Sequence, residues 1–147
     1  MSKETYQDLL NEKAIATIVE SHFKLKLEKI PEKYFPLDYQ LINYKNEIEG
    51  LITGYCEIKA RTISSDKYDE MFIDLFKWHN LKSWSLVLPV YILYGWTDAI
   101  GVKRVELKDR YPIRKGGTAD RKQPSVFIPV SEFKLIKQDY REFVKRN

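Results

Sequence analysis

The chain has very few of the residues that form disulfides or structural zinc sites. It contains one cysteine, Cys56, and two histidines, His22 and His79. A single cysteine excludes an intramolecular disulfide, and a zinc cage would need several cysteines or histidines. Any bound metal would therefore be held by oxygen ligands, which favours Mg²⁺ or Mn²⁺.

Long apolar runs are also missing. No run approaches the roughly 20 residues needed to cross a bilayer, and residues 1–10 are too polar for the core of a signal peptide. These absences predict a soluble, cytoplasmic protein without a membrane partner. A length of 147 residues suits one compact domain, and we find no internal repeat. We therefore predict a single domain over residues 1–147.

The composition is otherwise globular, with a mild excess of positive charge. Lysine and arginine total 25 against 21 acidic residues, a formal net charge of +4. This charge permits a polyanionic partner without requiring one, because phosphate binding depends on clustered charge. The densest basic cluster lies at about residues 108–124, which we predict to be a flexible basic loop. The residues predicted to contact a nucleic-acid backbone there are Arg114, Lys115, Arg121 and Lys122.

Hydrophobic periodicity predicts alternating helices and strands, and hence an α/β fold. A first helix is predicted from about residue 4 to about residue 28, opened by a capping box at Thr5-Tyr6-Gln7-Asp8. A second helix is predicted to begin at Ser64-Ser65-Asp66. Its predicted apolar side is Phe72, Leu75, Phe76, Trp78 and Leu81. Strands are predicted over 37–44, 48–60, 86–96, 101–107, 126–130 and 133–136, before a charged tail at 137–147 that includes a short helix.

Two of the predicted strands carry a pair of carboxylates. Alternation places Glu57 and Lys59 on one face of the second strand. If the first two strands form a hairpin, Asp38 lies on that same face, either opposite Glu57 or diagonal to it. We prefer the diagonal register, because its loop is Asn46-Glu47 and asparagine tolerates a positive φ.

This arrangement suits phosphodiester hydrolysis. Two carboxylates can hold a divalent ion, which lowers the pKa of bound water and neutralises charge on a phosphate. Lys59 can orient the water or contact the phosphate, and the backbone carbonyl of Ile58 is a further hard-oxygen ligand. The pattern predicts a metal-dependent nuclease with Asp38, Glu57 and Lys59 as catalytic residues.

The same residues resemble the PD-(D/E)XK nuclease superfamily. Asp38 follows Pro36-Leu37, Glu57-Ile58-Lys59 matches the signature, and Glu20 lies on the preceding helix. The one residue between Pro36 and Asp38 is a departure that many members allow. The order of elements is similar from about residue 5 to about residue 107. The resemblance implies a restriction-endonuclease-like core, with a central mixed β-sheet flanked by helices.

The resemblance also implies Mg²⁺-dependent cleavage of DNA. It nominates as metal ligands the side chains of Glu20, Asp38 and Glu57 and the Ile58 carbonyl. Members often add a lysine or glutamine that faces the site from the helix after the signature. The resemblance therefore implies Lys77 as a further catalytic residue, with Lys67 as the alternative. The small form is similar to Holliday-junction resolvases, which are dimers, and to phage-type nucleases. A homodimer in a host cytoplasm is therefore a further expectation.

Other interpretations stay open on the sequence alone. The acids and Lys59 could be a surface ion-pair ladder, and Lys77 could pair with Asp74 across one helical turn. The chain could be a catalytically inactive nucleic-acid-binding module of the same fold, or a protein-interaction domain. The sequence separates neither DNA from RNA nor endonuclease from exonuclease.

Overall fold

The computed structural model describes residues 5–30, 38–42, 52–117 and 122–146. Helices and strands are mixed along this part of the chain, as the sequence predicts. In chain order the elements are α1 (Tyr6–Phe23), β1 (Lys26–Lys29), β2 (Tyr39–Ile42), β3 (Ile52–Ala60), β4 (Glu70–Asp74), α2 (Leu75–Trp84), β5 (Val90–Gly95), β6 (Ile100–Val105), β7 (Ile113–Gly116), β8 (Gln123–Pro129), β9 (Lys134–Ile136) and α3 (Tyr140–Arg146).

The central sheet has six strands in the order β1-β2-β3-β5-β6-β9. Strands β3 and β5 pair in parallel, and the other described neighbours pair antiparallel, so the sheet is mixed. A parallel pair needs a crossover connection. Here the crossover contains β4 and α2. Strand β4 joins a second, antiparallel sheet in the order β4-β8-β7.

The central sheet is covered on both faces by separate hydrophobic clusters. Helices α1 and α3 pack on one face, where Ile15 and Tyr140 meet Cys56 and Ile58 of β3. Helix α2 and the second sheet pack on the other face, around Trp78, Leu81, Ile92, Val126 and Ile128. Because side chains alternate along a strand, Glu57 lies on the α2 face between its core neighbours.

Helix α1 begins as predicted but ends early. The capping box is confirmed: the Asp8 N–H donates to Thr5 Oγ1 at 3.0 Å, and the Thr5 N–H donates to Asp8 Oδ2 at 2.9 Å. The helix ends at Phe23, since Lys24 has a left-handed φ of 54°. The prediction of helix to residue 28 is wrong, because β1 follows directly. A four-residue strand is too short for its alternation to stand out from a helical stripe.

The prediction for the start of the second helix is also wrong. Helix α2 begins at Leu75, and Glu70 lies in β4. The Asp74 carboxylate caps the helix, accepting from the N–H groups of Phe76 at 2.8 Å and Lys77 at 3.2 Å. The helical periodicity places Phe76 on the apolar side of the helix, but the structure leaves it 81% exposed.

The basic segment differs from a simple loop. Strand β7 pairs with the start of β8, with Lys115 opposite Pro124 and Gly116 opposite Gln123. We call this pair the basic hairpin (residues 113–117 and 122–126). Arg121 lies outside the described residues. The predicted short helix in the tail is confirmed by α3. Over the described ranges, no helix is long and apolar enough to cross a membrane.

Candidate active site

The pairing of β2 with β3 determines where Asp38 lies. Tyr39 is opposite Cys56, and continuing that register by one residue brings Asp38 opposite Glu57. The preferred diagonal register is therefore wrong, and the directly opposed one is observed. The diagonal register was predicted from the residues of the loop. The register shifts between Leu41 and Ile42, so the pairing at the loop end does not extend unchanged to Asp38. The predicted loop residues lie outside the described ranges.

The Asp38 carboxylate contacts the signature strand directly. Its Oδ2 accepts a hydrogen bond from the N–H of Ile58 at 3.4 Å. In a strand, the N–H and C=O of one residue point to the same neighbour. The Ile58 carbonyl therefore faces the Asp38 side. Asp38, Glu57 and the Ile58 carbonyl therefore lie near one another where β2 begins beside β3.

Glu57 is a buried carboxylate flanked by two lysines. Its side chain is 1% exposed, Lys59 Nζ lies 3.7 Å from its Oε1, and Lys77 Nζ lies 3.3 Å from its Oε2. The Lys77 contact lacks the geometry of a hydrogen bond, so Oε2 is buried without a hydrogen-bond partner. Lys77 therefore turns toward Glu57, while Asp74 is engaged by backbone N–H groups. The alternative residue, Lys67, is exposed beside Tyr68.

The surroundings of Glu57 disfavour its charged form. Burial raises the pKa of the carboxyl to about 8, and the negative charge of Asp38 acts in the same direction. Lys77 and Lys59 lower the pKa but do not offset burial. An ionised Glu57 beside Asp38 therefore needs additional positive charge.

These groups fit a divalent cation. Carboxylate and carbonyl oxygens are the donors that Mg²⁺ and Mn²⁺ prefer. The buried Oε2 of Glu57 makes no hydrogen bond, although Lys77 Nζ lies 3.3 Å away, and a cation could bind this oxygen. The set is small, however: in the described part of the chain, no three His, Cys, Asp or Glu side chains cluster closely enough to hold a metal.

Glu20 is not brought to this pair. Its Oε2 accepts from the N–H of Leu27 at 2.9 Å, which ties the last turn of α1 to β1. This contact satisfies a backbone donor near the helix end and gives Glu20 a structural role. The structure therefore does not support the implied ligand set that included Glu20.

A different acid of α1, Glu12, is buried and was missed. Its Oε2 accepts from Lys29 Nζ at 3.2 Å, and Lys29 also lies 5.2 Å from the centre of the Tyr39 ring, next to Asp38 in the chain. Glu12 is only 8% exposed. A signal was present, because Glu12, Ile15 and Val19 share one helical stripe.

A cleft of about 650 Å³ opens beside the lysines. The end of β3, the first turns of α2 and the basic hairpin line this cleft. The basic residues in its lining are Lys59, Arg61 and Lys77, and the acidic residue in its lining is Asp74. Arg61 was missed, although alternation places it on the face of Glu57 and Lys59. The Arg61 Nε–H donates to Tyr94 Oη at 2.9 Å, which holds the guanidinium at the cleft.

Three of the four residues predicted to contact a nucleic-acid backbone, Arg114, Lys115 and Lys122, lie on the basic hairpin. Arg114 pairs with Glu70 at 2.6 Å and stacks 4.2 Å from the centre of the Phe127 ring. Lys115 and Lys122 are exposed on the two sides of the hairpin. Gly116, Gly117 and Gln123 of the same hairpin line the cleft. The hairpin therefore forms one wall of a groove that leads to Lys59 and Lys77.

Comparison with known proteins identifies the family. No curated protein and no solved structure matches the chain significantly. The family described as phage putative PDDEXK endonuclease matches residues 2–136, which is most of the chain and includes the mixed central sheet and the Asp38–Glu57–Lys59 hairpin. The predicted resemblance and the restriction-endonuclease-like fold are thus confirmed. The chain belongs to the phage PDDEXK endonuclease family.

Proposed function

We propose that this protein is a metal-dependent endonuclease that hydrolyses phosphodiester bonds in DNA. One observation carries the proposal: the buried Glu57 carboxylate lies beside Asp38 and pairs with Lys59 and Lys77, and both lysines line a basic cleft. A surface ion-pair ladder would not bury a carboxylate and leave one of its oxygens without a hydrogen bond. A site that receives a cation accounts for that oxygen.

Asp38, Glu57 and the Ile58 carbonyl would hold the ion, Mg²⁺ or Mn²⁺. When bound, such an ion lowers the pKa of water and neutralises charge on the phosphate. Lys59 is 39% exposed, so its ammonium can reach a phosphate oxygen in the cleft while it contacts Glu57. Lys77 projects from α2 into the same cleft, where its ammonium would stabilise negative charge on the phosphate.

The substrate would enter along the basic hairpin. Lys115, Lys122 and Arg121 offer charge to the phosphate backbone, and Arg114 is held in place by Glu70. Phosphate contacts of this kind position a nucleic acid without reading its sequence. A phage endonuclease of this class would act on DNA in the cytoplasm of the host cell.

The test combines metal binding with cleavage. Glu57→Gln and Asp38→Asn are each expected to weaken Mn²⁺ binding in calorimetry and to slow cleavage of plasmid DNA by about 100-fold or more. Glu132→Gln removes an exposed acid far in sequence from Asp38 and Glu57, and it serves as the matched control. It should leave both measurements unchanged.

Two results would overturn the proposal. Cleavage by Glu57→Gln at the rate of the parent protein would refute the assignment of the site. DNA binding that ignores EDTA, tightens in Asp38→Asn and is never followed by cleavage would identify an inactive binding module instead. Tightening would follow from the loss of a charge that repels phosphate.

A further inference from the structure

Phe76 is the most exposed of the large hydrophobic side chains in the described part of the chain, at 81%. The next aromatic residue of α2, Trp78, is 6% exposed and packs in the core. A single exposed apolar residue needs no explanation by itself. Phe76, however, lies in the lining of the basic cleft, and it directly precedes Lys77.

The surroundings of Phe76 combine an aromatic ring with positive charge. Lys59, Arg61 and Lys77 line the same cleft, as does the polar Asn80. The ring stands on the first turn of α2, and the Asp74 cap holds the Phe76 N–H at 2.8 Å. This cap fixes the backbone of the turn from which the ring projects beside the cleft.

Basic grooves with exposed aromatic rings bind unpaired nucleotides. The basic groups follow the phosphates, and the bases stack on the ring faces, which is tolerant of sequence. A base inside an intact duplex is already stacked on its neighbours and cannot offer its face to a side chain. An aromatic ring beside the lysines therefore favours a strand whose bases are accessible.

We propose that Phe76 stacks on an unpaired base of the substrate, and that the substrate class of this site is DNA with a single-stranded segment next to the cleaved bond. The inference rests on the proposed nuclease function and adds to it the binding residue and the form of the strand. Phe76 contributes to binding, whereas Lys59, Lys77 and the carboxylates act at the reacting phosphate.

The experiment compares a single-stranded oligonucleotide of about 12 nucleotides with a blunt duplex of the same sequence. Binding is measured by fluorescence anisotropy in EDTA, and cleavage is measured separately with Mn²⁺. Phe76→Ala and Phe76→Leu are expected to weaken single-strand binding by about 5- to 100-fold. Phe76→Tyr should bind like the parent protein. Duplex binding should change by less than about threefold in all three variants.

The matched control is Leu86→Ala, which removes another exposed apolar side chain (70% exposed) just beyond the far end of α2. It should leave both substrates unaffected. Equal binding of single strand and duplex by the parent protein would overturn the inference, as would an unchanged single-strand affinity in Phe76→Ala. A melting temperature lowered by Phe76→Leu would assign the ring a structural role and would overturn it too.

These results separate the two proposals. Normal metal-dependent cleavage together with unchanged binding by Phe76→Ala refutes the stacking inference alone. An absence of cleavage of either substrate by the parent protein refutes the nuclease proposal, whatever Phe76 contributes to binding.

Discussion

Lys77 Nζ lies 3.3 Å from Glu57 Oε2, and this contact joins the first turns of α2 to the middle of β3. The carboxylate is 1% exposed, whereas the lysine is 28% exposed and lines the cleft. The Lys77 ammonium therefore contacts the buried Glu57 carboxylate and also faces the cleft in which a substrate would lie. Its charge favours the ionised form of Glu57, which the surrounding core disfavours.

Removal of that charge should impair the site without unfolding the protein. Lys77→Met keeps the length of the side chain, and it is expected to reduce cleavage by about 100-fold, the usual effect of losing one charge-stabilising group. The control is Lys108→Met, since Lys108 is 83% exposed and pairs with Glu106. Single-turnover rates on plasmid DNA measure both. Equal rates for Lys77→Met and the control would contradict the prediction.

The stability of the metal-free protein should decrease as pH rises. Burial raises the pKa of Glu57 from 4.5 to about 8, so the folded protein binds an extra proton between these values. The stability contributed by the protonated carboxyl is complete below the lower pKa and is lost as pH rises through about 8. Asp38, Lys59 and Lys77 face the group and shape the same titration.

Thermal unfolding in EDTA from about pH 5 to about pH 9 measures this effect. The melting temperature of the parent protein should decline over that range. In Glu57→Gln the decline should be much smaller, because the amide does not titrate. A decline of equal size in both proteins would place its origin in other groups.

The basic hairpin should govern the salt dependence of DNA binding. Replacement of Lys115 and Lys122 by alanine removes two exposed charges without altering an ion pair of the core. If each contacts a phosphate, the slope of log affinity against log salt should become shallower by about two units. The double variant Lys134→Ala and Lys137→Ala, which changes exposed lysines elsewhere, should keep the original slope. Anisotropy at several salt concentrations distinguishes them.

The close packing of α1 against the central sheet should require a glycine at position 95. A Cβ atom added at Gly95 would lie 2.5 Å from Ile15 Cδ1 and 3.1 Å from Tyr140 Cδ1. Gly95→Ala should therefore destabilise the fold by about 1–3 kcal/mol, as overpacking does. Ile15→Val removes the Cδ1 methyl group, so the double variant should recover part of that loss in urea unfolding. A fully additive loss would show that the two sites do not interact.

The candidate site was more accessible to sequence reasoning than the secondary-structure boundaries were. Glu57 and Lys59 follow from strand alternation, because a period of two fixes the face of every residue in β3, and Asp38 requires in addition that β2 pair with β3. Helix α2 was misplaced because the polar residues 64–66 also suit a cap, while the true cap, Asp74, ends a short strand. Local capping preferences do not reveal that Glu70–Asp74 pairs with β8, 50 or more residues later.

Glu20 and Glu12 show the same limit at the scale of one helix. Both carboxylates lie on α1, and the neighbouring sequence does not indicate which of the two side chains is buried against the sheet. The start of β1 turns Glu20 toward the N–H of Leu27, and the sheet buries Glu12 against Lys29. Each outcome depends on a strand that the sequence pattern did not reveal.

Alternation along β3 is readable in the sequence and places Glu57 and Lys59 on one face, and Asp38 joins that face once β2 pairs with β3 in a register that keeps the core buried. Only the packing of distant segments buries Glu57, brings Lys77 to it, and places Phe76 and Arg61 in the lining of one cleft. These relations join α2, β3 and the basic hairpin. Segments so far apart in the chain meet only when the two sheets and the helix pack together, and no local pattern records that packing.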